Sequence, residues 1–395
     1  MFRYKKVFLP LLVVVACLSS FNLLCEQADQ PVVAYERMMP IYTQDGCYYY
    51  NKADMTVIHI SLPKAIKTLG SKIILRSPIR FAQWVSSLYY KTKKETFDIV
   101  KILNPQQTVP CSRSQELIFT WIGHATFLIQ VGDFNILTDP VFGDVKVGPF
   151  TLTKRTMPPG VRLEDLPRID AIVISHNHSD HTDTDSLVAL AKAYDPIVYV
   201  PEGNKELIAS MGFSRVVECT WWDSKVIHKA GKTLKLTCVP ALHWSIRFSL
   251  QSYRKALWSG WMISANDTNV FFAGDTAYGE HFKQIANEFP SIDVALMPIG
   301  PTNEGENMHK NCHVDALEAV DACIDLKARC FVPMHYGTFF LSKDTLTHPL
   351  NRLSEYWATK SDVLGDTTLL IARCGQGHTF EKKQSSDAIV QEPQS

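Results

Sequence analysis

The chain has 395 residues, enough for one large α/β domain with appended segments or for two or three smaller domains. Apolar residues make up 46% and charged residues 20%, and 40 Lys and Arg balance 40 Asp and Glu, so no net charge draws the protein to nucleic acid or another polyanion. The ten cysteines are scattered without a C-x-x-C pair, which excludes a disulfide scaffold, a cysteine-rich zinc site and a thioredoxin-type redox motif.

Residues 1–25 read as an address, with Arg3, Lys5 and Lys6 ahead of the apolar run 7–16, the layout of a secretory signal. The chain is therefore expected to be exported or membrane-tethered. Val14-Val15-Ala16-Cys17 resembles a bacterial lipobox, in which Cys17 is acylated and becomes the mature N-terminus. A retained anchor is the competing form, since 7–25 approaches the roughly 20 residues that span a bilayer, although Pro10 and Asn22 weaken it. Residues 26–113 form an N-terminal extension. Within it, 80–94 sets Phe81, Trp84, Leu88 and Tyr89 at helical spacing and ends in lysines. That pattern predicts an amphipathic helix packed on the main domain, with a helix lying on an anionic membrane as the alternative.

From 114 to 381 strands alternate with helices. Apolar runs predict strands at 117–120, 127–131, 135–138, 171–175, 197–200, 234–239, 269–273, 294–299 and 330–334, with helices at 185–194 and 314–325. Thr182 or Asp183 can cap the first of these helices. The polar stretch 382–395 is expected to be a disordered tail.

The segment ISHNHSDHTD, 174–183, follows the apolar run 170–174 and precedes a helix, so it lies in a loop at a strand's end. There side chains can converge on a pocket instead of alternating between the two faces of a sheet. One histidine proves little, but His176, His178, Asp180 and His181 together are placed to ligate metal. A dinuclear hydrolytic centre needs about three protein ligands per ion and an anionic bridge. His243, Asp275 and His335, each just past an apolar strand, can complete it. No G-x-S-x-G esterase motif occurs.

This order of residues resembles the metallo-β-lactamase fold, an αββα sandwich with two metal ions at its open edge. Thr120-Trp121-Ile122-Gly123-His124-Ala125-Thr126, Thr138-Asp139-Pro140-Val141-Phe142, Leu166-Pro167-Arg168-Ile169-Asp170, Trp221-Trp222, His243-Trp244, Gly274-Asp275-Thr276, His313-Val314-Asp315 and His335-Tyr336-Gly337-Thr338-Phe339 narrow the resemblance to phospholipases D that hydrolyse N-acylphosphatidylethanolamine. The likeness covers roughly 115–380. It departs at 301–309, which lack the aromatic, arginine-bearing loop associated with those enzymes.

The resemblance implies that His176, His178 and His243 hold one ion, that Asp180, His181 and His335 hold the other, and that Asp275 bridges. Zinc is the implied metal, with manganese or iron as alternatives. It lowers the pKa of a bound water to about 7, which supplies a nucleophile without serine or cysteine. Asp180, Asp275 and His313 are the implied catalytic residues, with His313 orienting an oxygen or protonating a leaving group. A phospholipid or other phosphodiester is the implied substrate, with membrane association. A metal-dependent lactonase or carboxylic ester hydrolase, and a non-catalytic envelope-tethered metal-binding protein, are the alternatives. Asp139 is expected to buttress the histidine loop by hydrogen bonding, and His124 either helps hold the site or fills the core. Trp221, Trp222, Trp244, Trp258 and Trp261 are expected mainly in the core, with an acyl-chain groove as the other reading.

Overall fold

Along the first strands, successive side chains fall into two separate cores, as the two-residue period of a doubly buried strand requires. Phe119, Trp121, Phe127, Ile129, Phe134, Ile136, Ala171, Val173 and Tyr199 face one core. The interleaved Ile122, Leu128, Leu137, Ile172, Val198 and Val200 face the other. The computed structural model describes residues 37–43, 46–50, 94, 98–247, 250–302, 311–342 and 344–381. The leader at 1–25, the predicted helix at 80–94 apart from Lys94, residues 303–309 of the divergent loop and the tail at 382–395 lie outside the described residues.

These strands build a seven-stranded sheet in the order Val216–Cys219, Ile197–Pro201, Ala171–Val173, Phe134–Thr138, Thr126–Val131, Leu117–Gly123 and Gly377–Phe380. The first four run parallel and the rest join antiparallel. A second seven-stranded sheet follows the same plan, in the order Ser224–Lys229, Lys232–Val239, Gly260–Ala265, Thr268–Phe272, Val294–Pro298, Cys330–Met334 and Thr368–Leu369. Here the antiparallel half comes first and the last four strands are parallel.

The sheets pack face to face. The Trp261 indole donates to the Ile174 carbonyl across the interface at 2.9 Å, and the Ser259 N–H donates to the Ser175 carbonyl at 2.9 Å. Helix α1, Thr184–Tyr194, covers the outer face of the first sheet through Leu187 and Leu190. Helices α2, His281–Glu288, α3, Ala316–Leu326, and α4, His348–Thr359, bury Phe282, Ile285, Ala319, Val320, Leu350 and Leu353 with the second sheet. The result is the helix–sheet–sheet–helix sandwich that the sequence implied. Described parts of the stretch before Leu117 share this core: Tyr48, Ile99 and Leu103 are buried in it, and the Trp222 indole donates to the Met38 carbonyl at 2.7 Å.

The nine predicted strands all form, with small shifts at their ends. The run 171–175 stays in the ladder only to Val173, because the Ser175 N–H is taken by the Asp139 carboxylate at 2.7 Å. Helix α3 starts two residues later than the periodicity suggests. Asp315 caps it, accepting from Leu317 and Glu318 N–H groups while Glu318 accepts from the Asp315 N–H. Asp183, one of the two expected caps, accepts from the Ser186 N–H at the start of α1.

Leu187 lies fully buried behind the histidine loop. Its replacement by alanine is expected to cost about 2–5 kcal/mol. The check is a lowered urea midpoint with an unchanged denaturant slope.

Candidate metal centre

The parallel strands of both sheets, and Leu117–Gly123 and Lys232–Val239, which run in the same direction as those of their sheet, end at one edge of the sandwich, where their carboxyl ends deliver side chains to a common point. The first sheet contributes His124 after Leu117–Gly123, Asp139 after Phe134–Thr138, and the run His176 to His181 after Ala171–Val173. The second contributes His243 after Lys232–Val239, Asp275 after Thr268–Phe272 and His335 after Cys330–Met334.

Most of these rings are fixed at one nitrogen by the surrounding chain. His243 holds the Cys312 carbonyl through Nδ1 at 2.7 Å, and His335 Nδ1 lies 3.1 Å from the Gly300 carbonyl. His181 Nδ1 donates to Asp139 Oδ2 at 2.7 Å, and the same oxygen accepts from the Ser175 hydroxyl at 2.5 Å. Ser175 Oγ in turn lies 2.8 Å from His176 Nδ1. In each of these histidines the other nitrogen, Nε2, is thereby directed at the centre. Asp275 is pinned through its neighbour Thr276, whose hydroxyl oxygen accepts from the Leu242 N–H at 2.9 Å, next to His243.

Two groups result. His176, His178, His243 and Asp275 form one, and His124, Asp180, His181 and His335 the other, with ligand atoms within 4.8 Å of one another in each. Asp275 joins them. Its Oδ2 lies 3.8 Å from Nε2 of both His176 and His243 and 3.2 Å from His181 Nε2, while its Oδ1 lies 3.2 Å from His335 Nε2. His313 Nδ1 stands 3.7 Å from the same Oδ2. Buried polar atoms normally find hydrogen bonds, yet His181 Nε2, His335 Nε2 and Asp275 Oδ1 are buried without one. Buried imidazoles and carboxylates converging in this way are a donor set suited to zinc or a similar divalent ion.

Charge divides unevenly across the two groups. Burial, reinforced by neighbouring histidines, holds His176 and His178 well below the usual imidazole range, and burial takes His243 down to about 4. In the second group burial also opposes charge, but Asp275, Asp180 and the hydrogen bond to Asp139 outweigh it and raise His181. Against the same opposition, the charge of Asp275 and the nearness of the Asp180 and Asp275 carboxylates, 3.7 and 3.2 Å from Nε2, lift His335 to about 9. Burial acts to raise Asp275, yet His181, His335 and His313 together keep it well below the usual carboxylate range.

All eight site residues expected from the sequence meet here, His313 included, and Asp139 buttresses the loop as expected. His124 belongs to the second group. Trp221, Trp258 and Trp261 are buried core residues, whereas Trp244 stacks edge-on against His178 with centroids 4.4 Å apart and so walls the site. Arg247 was not anticipated. Its guanidinium reaches the Asn177 carbonyl, Ser179 and the Thr184 hydroxyl at 2.8–3.3 Å, tying the histidine loop to the start of α1. A lone arginine four residues past His243 was the available signal. The carbonyls of Gly300 and Cys312 left none, because backbone acceptors have no residue signature, and a lone serine such as Ser175 is too common to mark a site.

A model of the β-lactamase superfamily domain matches residues 134–336. The chain belongs to that superfamily and is a metal-dependent hydrolase of the metallo-β-lactamase fold. Within it, the chain is related to N-acyl-phosphatidylethanolamine-hydrolyzing phospholipase D 1 of Caenorhabditis elegans. The two are 33% identical over 269 residues, which cover 66% of this chain and 75% of the nematode protein. The mitochondrial N-acyl-phosphatidylethanolamine-hydrolyzing phospholipase D of Saccharomyces cerevisiae is 32% identical over 237 residues, 59% of this chain and half (50%) of the yeast protein. An isothiocyanate hydrolase from Delia radicum gut bacteria shares the fold with a TM-score of 0.50 at 18% identity, covering 67% of this chain and 98% of that one.

The raised histidines give metal uptake a sign. With its pKa lifted to about 9, His335 is protonated near neutral pH, whereas His243, lowered to about 4, is already neutral. Without an ion, the stabilisation from charged His335 is complete below the ordinary value of 6.5 and is lost as pH rises through about 9. Zinc uptake near pH 7 is therefore expected to release about two protons, from His335 and His181. Titration calorimetry in buffers of different ionisation enthalpy measures this, and the release should fade above about pH 9.

Proposed function

We propose that this protein is a dinuclear zinc phosphodiesterase that hydrolyses N-acylphosphatidylethanolamine to phosphatidic acid and an N-acylethanolamine. The observation that carries the reading is Asp275, one buried carboxylate shared by two imidazole-rich groups with His313 beside it. Identity to two phospholipases whose names state that substrate supports the lipid class. A small cleft of mixed lining opens beside His335, with Tyr336, Phe339, Phe340 and Leu346 on its wall together with Ser342 and Asp344.

His176, His178 and His243 would hold one ion, Asp180, His181 and His335 the other, and Asp275 both. Bound ions would supply Lewis-acid charge to the phosphodiester and a water activated at neutral pH. The chain's own residues do the rest. Asp275 offsets part of the repulsion between two dications. Asp139 keeps His181 in one tautomer and one orientation. His313, 3.7 Å from Asp275, stands where it could donate a proton to the departing oxygen. In the net reaction the phosphorus–oxygen bond to the N-acylethanolamine breaks, a water oxygen takes its place on phosphorus, and the leaving alkoxide takes up a proton.

The same reading sets the enzyme at a membrane, through the apolar run before residue 25 or acylated Cys17. Among the described residues no helix is long and apolar enough to cross a bilayer. The N-terminal run lies outside them.

The purified protein is expected to carry two metal ions, and Asp275→Asn to abolish hydrolysis while the fold persists. Elemental analysis, circular dichroism and turnover of N-acylphosphatidylethanolamine in mixed micelles test both. His313→Ala is expected to retain metal and lose about 10²–10⁴-fold in kcat. Hydrolysis of bis(p-nitrophenyl)phosphate without the lipid would leave a phosphodiesterase of another substrate, and lactone opening without either would refute the phosphodiesterase. Mass spectrometry of the mature N-terminus tests the lipoprotein form: a diacylated Cys17 is expected, and an intact Met1 or a free start beyond residue 25 refutes that form.

A further inference from the structure

We propose that His124 is a positioning residue for the second metal group, donating its Nε2–H to Asp180 and so holding that carboxylate in its ligating orientation. The proposal rests on the dinuclear reading above. His124 Nε2 lies 3.2 Å from Asp180 Oδ2, whereas His181 Nε2 and His335 Nε2 each lie 3.7 Å from that oxygen. The contact has hydrogen-bond geometry, and because an ionised carboxylate oxygen can only accept, the shared proton sits on the imidazole.

The backbone is shaped to present this ring. His124 has φ 55, in the left-handed region that bulky residues avoid. Such conformations persist only where the surroundings over-determine them, and they cluster at functional sites. Here the His124 N–H donates to the Thr338 hydroxyl at 2.7 Å. The His124 carbonyl accepts from the Trp121 indole at 2.9 Å and from the His335 N–H at 3.2 Å. The preceding Gly123 has φ 129, and a Cβ there would collide with the Arg155 guanidinium. That guanidinium also holds the Ile122 carbonyl at 3.0 Å. The ring itself packs on Phe339 and against His335, with centroids 5.1 and 4.1 Å away. A residue needed only to fill the core would not require an imidazole aimed at a carboxylate. Asp180, with 16% of its side chain exposed against 2% for Asp275, has more freedom to swing away and more need of a tether.

The test replaces His124 by glycine, which suits the left-handed backbone and so preserves folding, and by glutamine, whose amide can still donate at similar reach. Zinc is titrated into each metal-free protein against a chelator, and cobalt(II) spectra report the coordination of each ion. The wild type is expected to bind two ions. H124G is expected to keep the affinity of the first and weaken the second about 10–100-fold, the usual effect of losing a hydrogen bond to a ligand. H124Q is expected to recover most of that loss with a wild-type cobalt spectrum. Unchanged affinity for both ions in H124G overturns the proposal and leaves a packing role. Failure of H124Q to recover, with an altered cobalt spectrum, overturns it in favour of direct ligation by His124. A wild type that binds a single ion refutes the dinuclear reading itself, and is seen before any variant is made.

Discussion

One buried carboxylate among five imidazoles governs this molecule. Asp275 is almost wholly removed from solvent, and nitrogens of His176, His181, His243, His313 and His335 lie within 3.8 Å of its two oxygens. An anion so placed needs compensating charge, yet five clustered imidazolium ions would repel one another more than they would help. The structure resolves the conflict by asymmetry. The second group, beside Asp180 and Asp139, keeps His181 and His335 charged while burial takes its His124 down to about 3, and the first, more deeply embedded among other rings, keeps its histidines neutral.

The sandwich exists in a form that makes this convergence possible. Parallel strands all release their chain at the same end, and each of the two sheets places a parallel half at the shared edge. Side chains that follow those strands do not alternate between faces and so can point at one locus. Loop residues alone would be poorly held there. Their orientation comes from the anchors: the Cys312 and Gly300 carbonyls, the Asp139 carboxylate and the guanidinium of Arg247.

Much of this was legible in the sequence. The positions after strands, 176–181, 243, 275 and 335, carry metal-ligating residue types directly behind apolar runs, and that coincidence is visible without coordinates. The edge strands Ser224–Lys229 and Gly377–Phe380 escaped notice because their exposed and half-buried positions alternate and carry lysines, histidine and threonine in place of apolar runs. Helices α2 and α4 were missed because polar residues outweigh apolar ones around their single buried stripe. The role of His124 could not be read from its motif, since a histidine after a glycine looks the same whether it fills a core or grips Asp180. Trp244 was likewise ambiguous. Only its contact with His178 separates it from the tryptophans buried beneath.

Neither group of ligands belongs to one half of the chain. In the first, His176 and His178 come from the first sheet while His243 and Asp275 come from the second; in the other, His124, Asp180 and His181 are joined by His335 across the same divide. An ion in either group would therefore act as a rivet between the two sheets, linking segments about 65 to 210 residues apart in the chain much as a long-range crosslink does. Because the unfolded chain offers no such cage, an ion at 100 times its dissociation constant adds about 2.7 kcal/mol to the stability of the whole sandwich. With ions bound, metal supply would bear on how long the folded protein survives as well as on what it catalyses, and starvation for metal would expose the interface between the sheets to proteolysis.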